Sequence, residues 1–537
     1  MRVWSAFFSS RPQFSLLSLT PYMEPTACAG RIRLLRAPDA RLGLAWTGVL
    51  VSYMHCNTSD PNTGESLVAP TAQQVLDWLP VPPARLLLWG GRAVGWEAMD
   101  VDVQSAALSQ GAVWAQQPHL ARTGVLEARL PSEGLEWDAV VVQDLSPMVH
   151  PLTIWDQLAE RLRPGAVVVL TGVLPEHPRM PHWLDYVVAL GQRCGFALLA
   201  PDGGDQATVP SPAFVRILRK AEIAPRWMLR HVRPQDAPSI AELFLEVFGH
   251  PISPALWEWK YGRGRGNAVT ASRQGAVVAH YGGMYRDILL FGKPEWAFQI
   301  CDVMVHPKER GVMTRQGPFL LTAAIGAEIY GPLGFGFPHP RAMEVAQKMG
   351  LYAPVGHMVE VRWQPSAPRA RWATRLHLLS RTRNDDHALV DGVWRQMAAD
   401  LVTEAVGLRD WAYLERRYLD HPHNHYELIA VVSRWTGRPL GILVLRRLED
   451  CVELLDVVAP IQALPTLIDQ ARRLASLWGK SSVYCWITAN QVHHFMVQGG
   501  VQTDVQVAIP TSVWTQDERA HVFKDKWWLM SGDTDFR

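Results

Sequence analysis

The sequence has 537 residues, 48% of them hydrophobic and 19% charged. A chain of this length is too long to fold around one hydrophobic core, which suggests three or four domains. Its 52 Lys and Arg residues and 51 Asp and Glu residues leave a net charge of +1, which argues against a nucleic-acid partner and against an acidic tail. No window approaches the roughly 20 uninterrupted apolar residues of a transmembrane helix, so we expect no membrane partner.

Residues 1–70 are the least informative part of the chain. The opening MRVWSAFFSSRPQFSLLSL is apolar but contains Arg11 and Gln13, which argues against a secretory signal peptide. The six cysteines occur singly, with no C-x-x-C pair, as in proteins that keep reduced thiols. We therefore predict a cytoplasmic protein.

Residues 71–222 alternate between strand and helix patterns. A buried strand is predicted within 135–145, a helix over 152–162, a strand in AVVVLTG, a helix over 182–194 and a last strand over 214–219. This alternation predicts an α/β domain with a doubly wound, Rossmann-like parallel sheet. Ligands of such sheets usually bind at the carboxyl ends of the strands.

Two segments of this region, WDAVVVQDL and LRPGAVVVLTG, resemble the fourth and fifth strands of class I S-adenosylmethionine-dependent methyltransferases. The resemblance implies Glu97, Asp100 and Asp102 as candidate ribose ligands. However, the glycine turn Trp89-Gly90-Gly91 is followed within a few residues by EAMDVD, so the helix expected between the first two strands is missing. We therefore predict a degenerate methyltransferase-like domain, with S-adenosylmethionine as a secondary cofactor candidate.

A second domain is predicted over 226–365, after the linker AEIAP. Trp227–Val232 has a strand pattern, and Ala237–Phe248 has an amphipathic helix pattern behind an Asp N-cap. An aromatic helix around Trp257–Tyr261 and several antiparallel strands follow. The last of these strands, Ile300–Val305, ends at His306-Pro307 because proline cannot continue a central ladder.

The loop after this strand is basic and glycine-rich, and it precedes a helix that begins near Pro318. A helix N-terminus with free N–H groups and nearby arginines suits a phosphate or pyrophosphate. The residues that form this predicted anion site are Lys308, Arg310, Gly311, Arg315, Gln316 and Gly317.

The segments that follow are a strand at Gly334–Pro338, a helix at Arg341–Met349, and Leu351-Tyr352. This order resembles the acetyl-CoA-binding half of the GNAT superfamily of N-acyltransferases. The resemblance implies a site for acetyl-CoA or another acyl-CoA, and N-acylation of a small-molecule amine. The implied cofactor-binding residues are Val303, Met304, Val305, Arg310, Gly311, Arg315, Gln316 and Gly317.

Acyl transfer to an amine requires the amine to lose a proton and the departing thiolate to gain one. The resemblance implies Tyr352 as the acid, with core packing as the alternative explanation of this tyrosine. Asp302 and His306, the titratable residues nearest in sequence to the end of the central strand, are the base candidates. Asp302 could instead satisfy buried backbone groups, and His306 could simply terminate the strand.

Residues 398–537 are predicted to form a second, degenerate GNAT-like lobe. The segment 411–447 parallels the earlier segment that starts at Trp257, as in an internal repeat. Its central strand is followed by VVAPIQALP, without a basic loop, so we expect no coenzyme there. Asp533 and Asp535 are candidates for binding an amine or a sugar hydroxyl, with the usual solvation of a chain end as the alternative explanation. The histidines at 421, 423 and 425 fit a solvated loop better than a metal site.

The sequence thus predicts a methyltransferase-like domain followed by two α+β GNAT-like lobes, and an N-acyltransferase, most simply an N-acetyltransferase. The alternatives are an S-adenosylmethionine-dependent methyltransferase that uses the lobes to bind its acceptor, and a non-catalytic binding protein. The acceptor, the acyl chain length and the oligomeric state are not determined by the sequence.

Overall fold

A computed structural model of the protein describes residues 85–89, 102–106, 137–142, 151–173, 180–199, 213–310, 317–330, 333–513 and 522–537. These residues form a mixed α/β structure with one six-stranded and two seven-stranded sheets. Among the described helices, none is long and apolar enough to cross a membrane.

The first sheet has the strand order β2-β1-β3-β4-β6-β5. Strands β1 to β4 are parallel, while β6 runs antiparallel to both of its neighbours. Branched runs such as AVVV pack both faces of the central strands against apolar neighbours, and the side chains of Val140 and Val168 are fully buried. The elements are β1 (Arg85–Trp89), β2 (Asp102–Ala106), β3 (Ala139–Val142), α1 (Pro151–Arg161), β4 (Val167–Val173), α2 (Met180–Arg193), β5 (Phe196–Leu198) and β6 (Ala213–Lys220).

Asp156, on α1, joins this sheet to the next part of the chain. Its Oδ2 accepts a hydrogen bond from the backbone N–H of His231 at 3.3 Å and lies 3.9 Å from Arg233. Burial raises the pKa of Asp156 from 3.8 to about 7, although Arg233 acts in the opposite direction. The folded protein therefore binds a proton at Asp156 more tightly than the unfolded chain does.

This raised pKa predicts a pH dependence of stability. The contribution of Asp156 is fully present below about pH 4 and is lost as the pH rises through about 7. We expect the urea midpoint to fall less between pH 5 and pH 8 in Asp156→Asn than in the unmodified protein. Asp185→Asn, an exposed carboxylate on α2, is the control. Equal pH dependence in all three proteins would contradict the prediction.

The second sheet contains β7, β8, β9, β10 and β11. Two strands from later in the chain, β14 (Ala405–Gly407) and β20 (Trp527–Trp528), extend it, with β14 paired to the last residues of β9. Its strands are antiparallel except for the pairs β10–β11 and β14–β20. The elements are β7 (Met228–His231), α3 (Ala237–Phe248), α4 (Pro254–Tyr261), β8 (Gly266–Arg273), β9 (Ala276–Leu290), β10 (Lys293–Val305), α5 (Pro318–Tyr330), β11 (Gly334–Gly336) and α6 (Pro340–Lys348).

Helices cover both faces of this sheet. On one face, Ile240 and Leu243 of α3 pack with Val277 and Met304. On the other face, α5 approaches β9 so closely that a β-carbon at Gly326 would overlap the ring of Tyr281. Since only glycine permits this approach, the position of α5 over the sheet is set by Gly326.

The third sheet has the order β13-β15-β16-β17-β18-β12-β19. Its strand β12 follows α6 directly, yet pairs with β18 and β19 and not with β11. The elements are β12 (Tyr352–Trp363), β13 (Thr374–Leu378), α7 (Asn384–Asp400), β14 (Ala405–Gly407), α8 (Trp411–Leu414), a π-helical turn (Glu415–Leu419), β15 (Glu427–Ser433), β16 (Pro439–Arg447), β17 (Cys451–Val458), α9 (Leu464–Leu477), β18 (Ser482–Thr488), a 3₁₀ helix (Ala489–His494), β19 (Val501–Ser512) and β20 (Trp527–Trp528).

The second and third sheets therefore exchange strands. The predicted domain 226–365 contains β12, a member of the third sheet, and the predicted domain 398–537 contains β14 and β20, members of the second. The domain limits at 365 and 398 stay predictions. Each of the two sheets, however, contains at least one strand from the predicted domain that forms most of the other sheet.

Candidate active site

A gap opens in the second sheet where β10 and β11 separate. The two strands pair in parallel only from Phe298 opposite Gly334 to Ile300 opposite Gly336. The strand β11 then ends, whereas β10 continues to Val305. From Cys301 onward the edge of β10 that faces away from β9 therefore has no strand partner among the described residues.

A β-bulge marks the start of this gap. The register between β9 and β10 shifts between Cys301 and Met304, and Asp302 has a φ of 49°. A positive φ is unfavourable for a non-glycine residue, although aspartate tolerates it better than most. The carbonyl oxygen of Asp302 lies 2.8 Å from Nδ1 of His280 on β9, so a buried histidine helps to hold the bulge.

The side chain of Asp302 belongs to a buried charged cluster. Lys260, at the end of α4, places its Nζ 2.8 Å from Oδ1 of Asp302 and 2.9 Å from Oδ2 of Asp535. The hydroxyl of Tyr261 donates to Oδ2 of Asp302 at 2.7 Å. We call Lys260, Tyr261, Asp302 and Asp535 the bulge cluster. It combines residues from helix α4, the central strand β10 and residues 531–537, which we call the C-terminal segment.

Charges within the bulge cluster stabilise one another. Burial alone would lower the pKa of Lys260 and raise that of Asp302, but the ion pair raises the first and lowers the second. Burial lowers the pKa of His280, so its imidazole is neutral at pH 7. Its Nε2 has no hydrogen-bond partner within the described ranges, and an Nδ1–H donated to the backbone carbonyl of Asp302 leaves Nε2 as an acceptor.

The C-terminal segment reaches the cluster because a second buried network anchors it. Asp533 accepts hydrogen bonds from Arg286 at 2.9 Å and from Arg409 at 2.6 Å. Arg409 also pairs with Asp456 of β17 at 2.9 Å. Asp533, Arg409 and Asp456 are completely buried. Asp533 is therefore a structural residue. Its predicted role as a candidate for binding an amine or a sugar hydroxyl is wrong, because its carboxylate is buried and paired with two arginines.

Tyr352, the predicted acid, begins β12 and is buried between α5 and α6. Its hydroxyl lies 2.6 Å from that of Tyr281. Burial raises its pKa well above the usual value, so it keeps its proton at neutral pH. A proton donor and a packed core residue both need this property, and the catalytic role of Tyr352 stays a prediction.

His306 and Arg310 have local hydrogen bonds. The Nδ1 of His306 accepts from the backbone N–H of Lys308 at 3.2 Å and caps a short 3₁₀ helix. Nε of Arg310 donates to the carbonyl of Val305 at 2.8 Å, which keeps the guanidinium beside the end of β10. Neither contact excludes the predicted role of the residue.

The other predicted cofactor residues that the structure describes lie at the end of β10 and directly before α5. Val303, Met304 and Val305 are the last residues of β10, and Met304 is buried against α3. Gly317 directly precedes α5 and accepts a hydrogen bond from the N–H of Leu321. Gly311, Arg315 and Gln316 lie outside the described residues, as do Glu97 and Asp100. Asp102 begins β2.

Lys260, Tyr261 and His280 were not predicted as site residues. Lys260 and Tyr261 belong to a helix whose aromatic stripe predicted core packing or a wall of the acceptor site and no chemical role. His280 is separated from Asp302 by 22 positions. A lysine inside an aromatic helix end, WEWKY, was the available signal. A lysine is rarely fully buried unless it is paired, but the sequence does not identify the partner.

A metal ion is a poor fit to the cluster. Ligand atoms of Cys301, Asp302 and Asp535 lie within 4.8 Å of one another, but the ammonium of Lys260 already pairs with both carboxylates.

At the histidine-rich turn, Nε2 of His423 is 2.6 Å from the hydroxyl of Ser253, so it joins two loops through a hydrogen bond.

Comparison with known proteins identifies the domain that contains the gap and the bulge. Residues 228–337 match the family model of the acetyltransferase (GNAT) domain. The chain carries a GNAT acetyltransferase domain. The match covers no strand of the first sheet and no strand of the third, so the methyltransferase-like domain and the second GNAT-like lobe stay predictions. No curated protein matches the sequence.

Several solved structures have a distant likeness to the chain. A conserved protein from Enterococcus faecalis, described as a probable N-acyltransferase, has 12% identity and a TM-score of 0.44 over 54% of this chain and 74% of its own. A GCN5-related N-acetyltransferase from Anabaena variabilis has 11% identity and a TM-score of 0.41, over 53% and 72%. Saccharomyces cerevisiae N-myristoyltransferase has 10% identity and a TM-score of 0.37, over 54% and 80%.

Proposed function

We propose that the protein is an N-acyltransferase that transfers an acyl group, most simply acetyl, from an acyl-CoA to an amine. The observation that carries this proposal is the coincidence of the GNAT domain match with a gap between β10 and β11 that begins at a bulge. Acyl transfer in general is supported by the domain match; the acetyl donor, the amine acceptor and the site residues are part of the proposal.

The acyl-CoA would lie along the free edge of β10. Its phosphates would bind at the N-terminus of α5, because the N–H groups of a first helical turn and the helix dipole favour anions, with Arg310 and Arg315 adding charge. Backbone groups of Val303 to Val305 would bind the amides of the pantetheine arm, as a strand binds its neighbour. This path brings the thioester close to the bulge at Asp302.

The reaction needs one bond exchange and one proton transfer. The lone pair of the acceptor nitrogen attacks the thioester carbon, and the C–S bond breaks to release the thiolate of CoA. The nitrogen loses one proton to a base, and the thiolate gains one proton from an acid. Tyr352 is the proposed donor to the thiolate. Asp302 is the weaker of the two proposed bases, because both of its carboxylate oxygens already accept hydrogen bonds from Lys260 and Tyr261. His306 is the other.

Isothermal titration with acetyl-CoA tests the proposal. We expect the unmodified protein to bind acetyl-CoA, and the variant Arg310→Ala with Arg315→Ala to bind at least about tenfold more weakly, since a hydrogen bond to a charged group contributes about 1.5–3 kcal/mol. Arg369→Ala, which removes an exposed arginine remote in sequence from the loop, is the control. Equal affinity in the double variant and the control would refute the phosphate site.

The same titration with S-adenosylmethionine tests the methyltransferase alternative. Four adjacent parallel strands and an antiparallel β6 are consistent with the predicted methyltransferase-like domain, but no comparison supports this cofactor. If the protein binds S-adenosylmethionine and does not bind acetyl-CoA, the activity would instead belong to the domain that contains the first sheet. Absence of binding by both would favour a non-catalytic binding protein.

A further inference from the structure

Among the described residues, one carboxylate oxygen of the bulge cluster accepts no hydrogen bond. Both oxygens of Asp302 accept hydrogen bonds, from Lys260 and from Tyr261. Asp535 uses Oδ2 to pair with Lys260, whereas its Oδ1 has no hydrogen-bond partner in the part of the chain that the structure describes. A carboxylate at the site thus retains a free acceptor.

Asp535 is also the most accessible charged residue of the cluster. The side chain of Asp535 is 13% exposed, compared with 4% for Lys260 and 5% for Asp302. A molecule that approaches the bulge from solvent therefore meets Asp535 before the other charged groups. The two carboxylates and the single ammonium carry a net charge of −1, which favours a cationic group beside them.

The backbone on both sides of Asp535 is held in place. The buried guanidinium of Arg417 donates to the carbonyl oxygens of Gly532, Thr534 and Arg537. Because these hydrogen bonds go to backbone carbonyls, Arg417 fixes the segment without forming an ion pair with Asp535. Together with the Asp533 network, Arg417 gives the carboxylate a defined position, as a binding group requires.

We propose that Oδ1 of Asp535 binds the ammonium group of the acyl acceptor and so determines which amines reach the thioester. This assignment rests on the proposed acyl transfer, because the cluster lies at the start of the gap that would hold the acyl-CoA. Lys260 orients Asp535 by pairing with its other oxygen. Acceptor recognition thereby depends on the C-terminal segment, which lies outside the residues that match the GNAT domain.

The test is steady-state kinetics of Asp535→Asn, with release of free CoA as the signal. Acetyl-CoA is the donor, and glucosamine, kanamycin and triglycine are three chemically different primary amines. We expect at least one amine to be acetylated by the unmodified protein. In Asp535→Asn, its KM should rise at least about tenfold, while the dissociation constant for acetyl-CoA changes less than about twofold.

Two further variants separate recognition from general damage. Glu449→Gln removes an exposed carboxylate in a turn of the third sheet and should leave all constants unchanged. Asp535→Glu retains the charge, so its KM for the amine should lie closer to that of the unmodified protein. If Asp535→Asn raised the KM only by disturbing the packing at position 535, the longer glutamate would not lower it again.

The other outcomes contradict the assignment in distinguishable ways. An unchanged KM for the amine in Asp535→Asn would refute the role of Asp535 and leave the acyltransferase intact. Binding of acetyl-CoA without acetylation of any of the three amines would refute a general ammonium site at Asp535. If the unmodified protein does not bind acetyl-CoA, the proposed function fails, and the assignment of Asp535 fails with it.

Discussion

Replacing Asp533 by alanine should lower the free energy of unfolding by about 3–5 kcal/mol, the typical cost of breaking a buried ion pair from one side. The carboxylate of Asp533 pairs with Arg286 and Arg409, and its Oδ2 also accepts from the N–H of Met530 at 2.8 Å. Burial opposes ionisation, but the two arginines lower the pKa of Asp533 below its usual value. The alanine variant would leave two buried guanidinium groups short of a counter-ion.

Urea unfolding followed by tryptophan fluorescence measures this effect. Asp450→Ala, at an exposed turn position of the third sheet, should differ from the unmodified protein by less than about 0.5 kcal/mol. If Asp533→Ala does not accumulate in soluble form, Asp533→Asn keeps the shape of the side chain and should show a loss in the same direction. A normal unfolding midpoint for both Asp533 variants would show that the network does not anchor the C-terminal segment.

Replacing Lys260 by methionine should abolish acyl transfer and destabilise the protein by about 3–5 kcal/mol. Lys260 is buried and pairs with Asp302 and Asp535. Without its ammonium, burial would raise the pKa of Asp302, the carboxyl group would take up a proton, and the hydrogen bonds around the bulge would rearrange. The effect on activity follows because the bulge borders the proposed thioester position.

A second substitution separates the electrostatic cause from a loss of packing. Lys260→Met with Asp302→Asn removes the ammonium and the more deeply buried of its two carboxylate partners, so the double variant should regain much of the stability lost in Lys260→Met while remaining inactive. Lys348→Met, at an exposed position on α6, is the control for both measurements. If the double variant is no more stable than Lys260→Met, the unpaired carboxyl group of Asp302 is not the cause.

Local patterns in the sequence predicted most helices and strands of the GNAT domain. The amphipathic stretch Ala237–Phe248 is a helix with those ends, and the helix predicted to begin near Pro318 begins at Pro318. The strand predicted at Ile300–Val305 is the last part of β10. These features depend on apolar periodicity and on proline and capping residues, which act over a few neighbouring positions.

The predictions were less accurate where pairing decides the structure. Strand β12 follows the first lobe in sequence and pairs in the third sheet. Nothing in the alternation of Tyr352–Trp363 identifies β18 and β19 as its neighbours, because a strand presents the same backbone groups to any partner.

The sequence by itself determined the order of elements around the central strand, the basic loop after it, and Asp302 as a candidate at its end. Only the tertiary structure showed that Lys260, Tyr261, His280 and Asp535 meet at the bulge. The reason is physical: a buried charge needs a partner, but Lys260 and Asp535 are 275 positions apart. Their pairing depends on the Asp533 network and on the strands that the two lobes exchange, which no local pattern records.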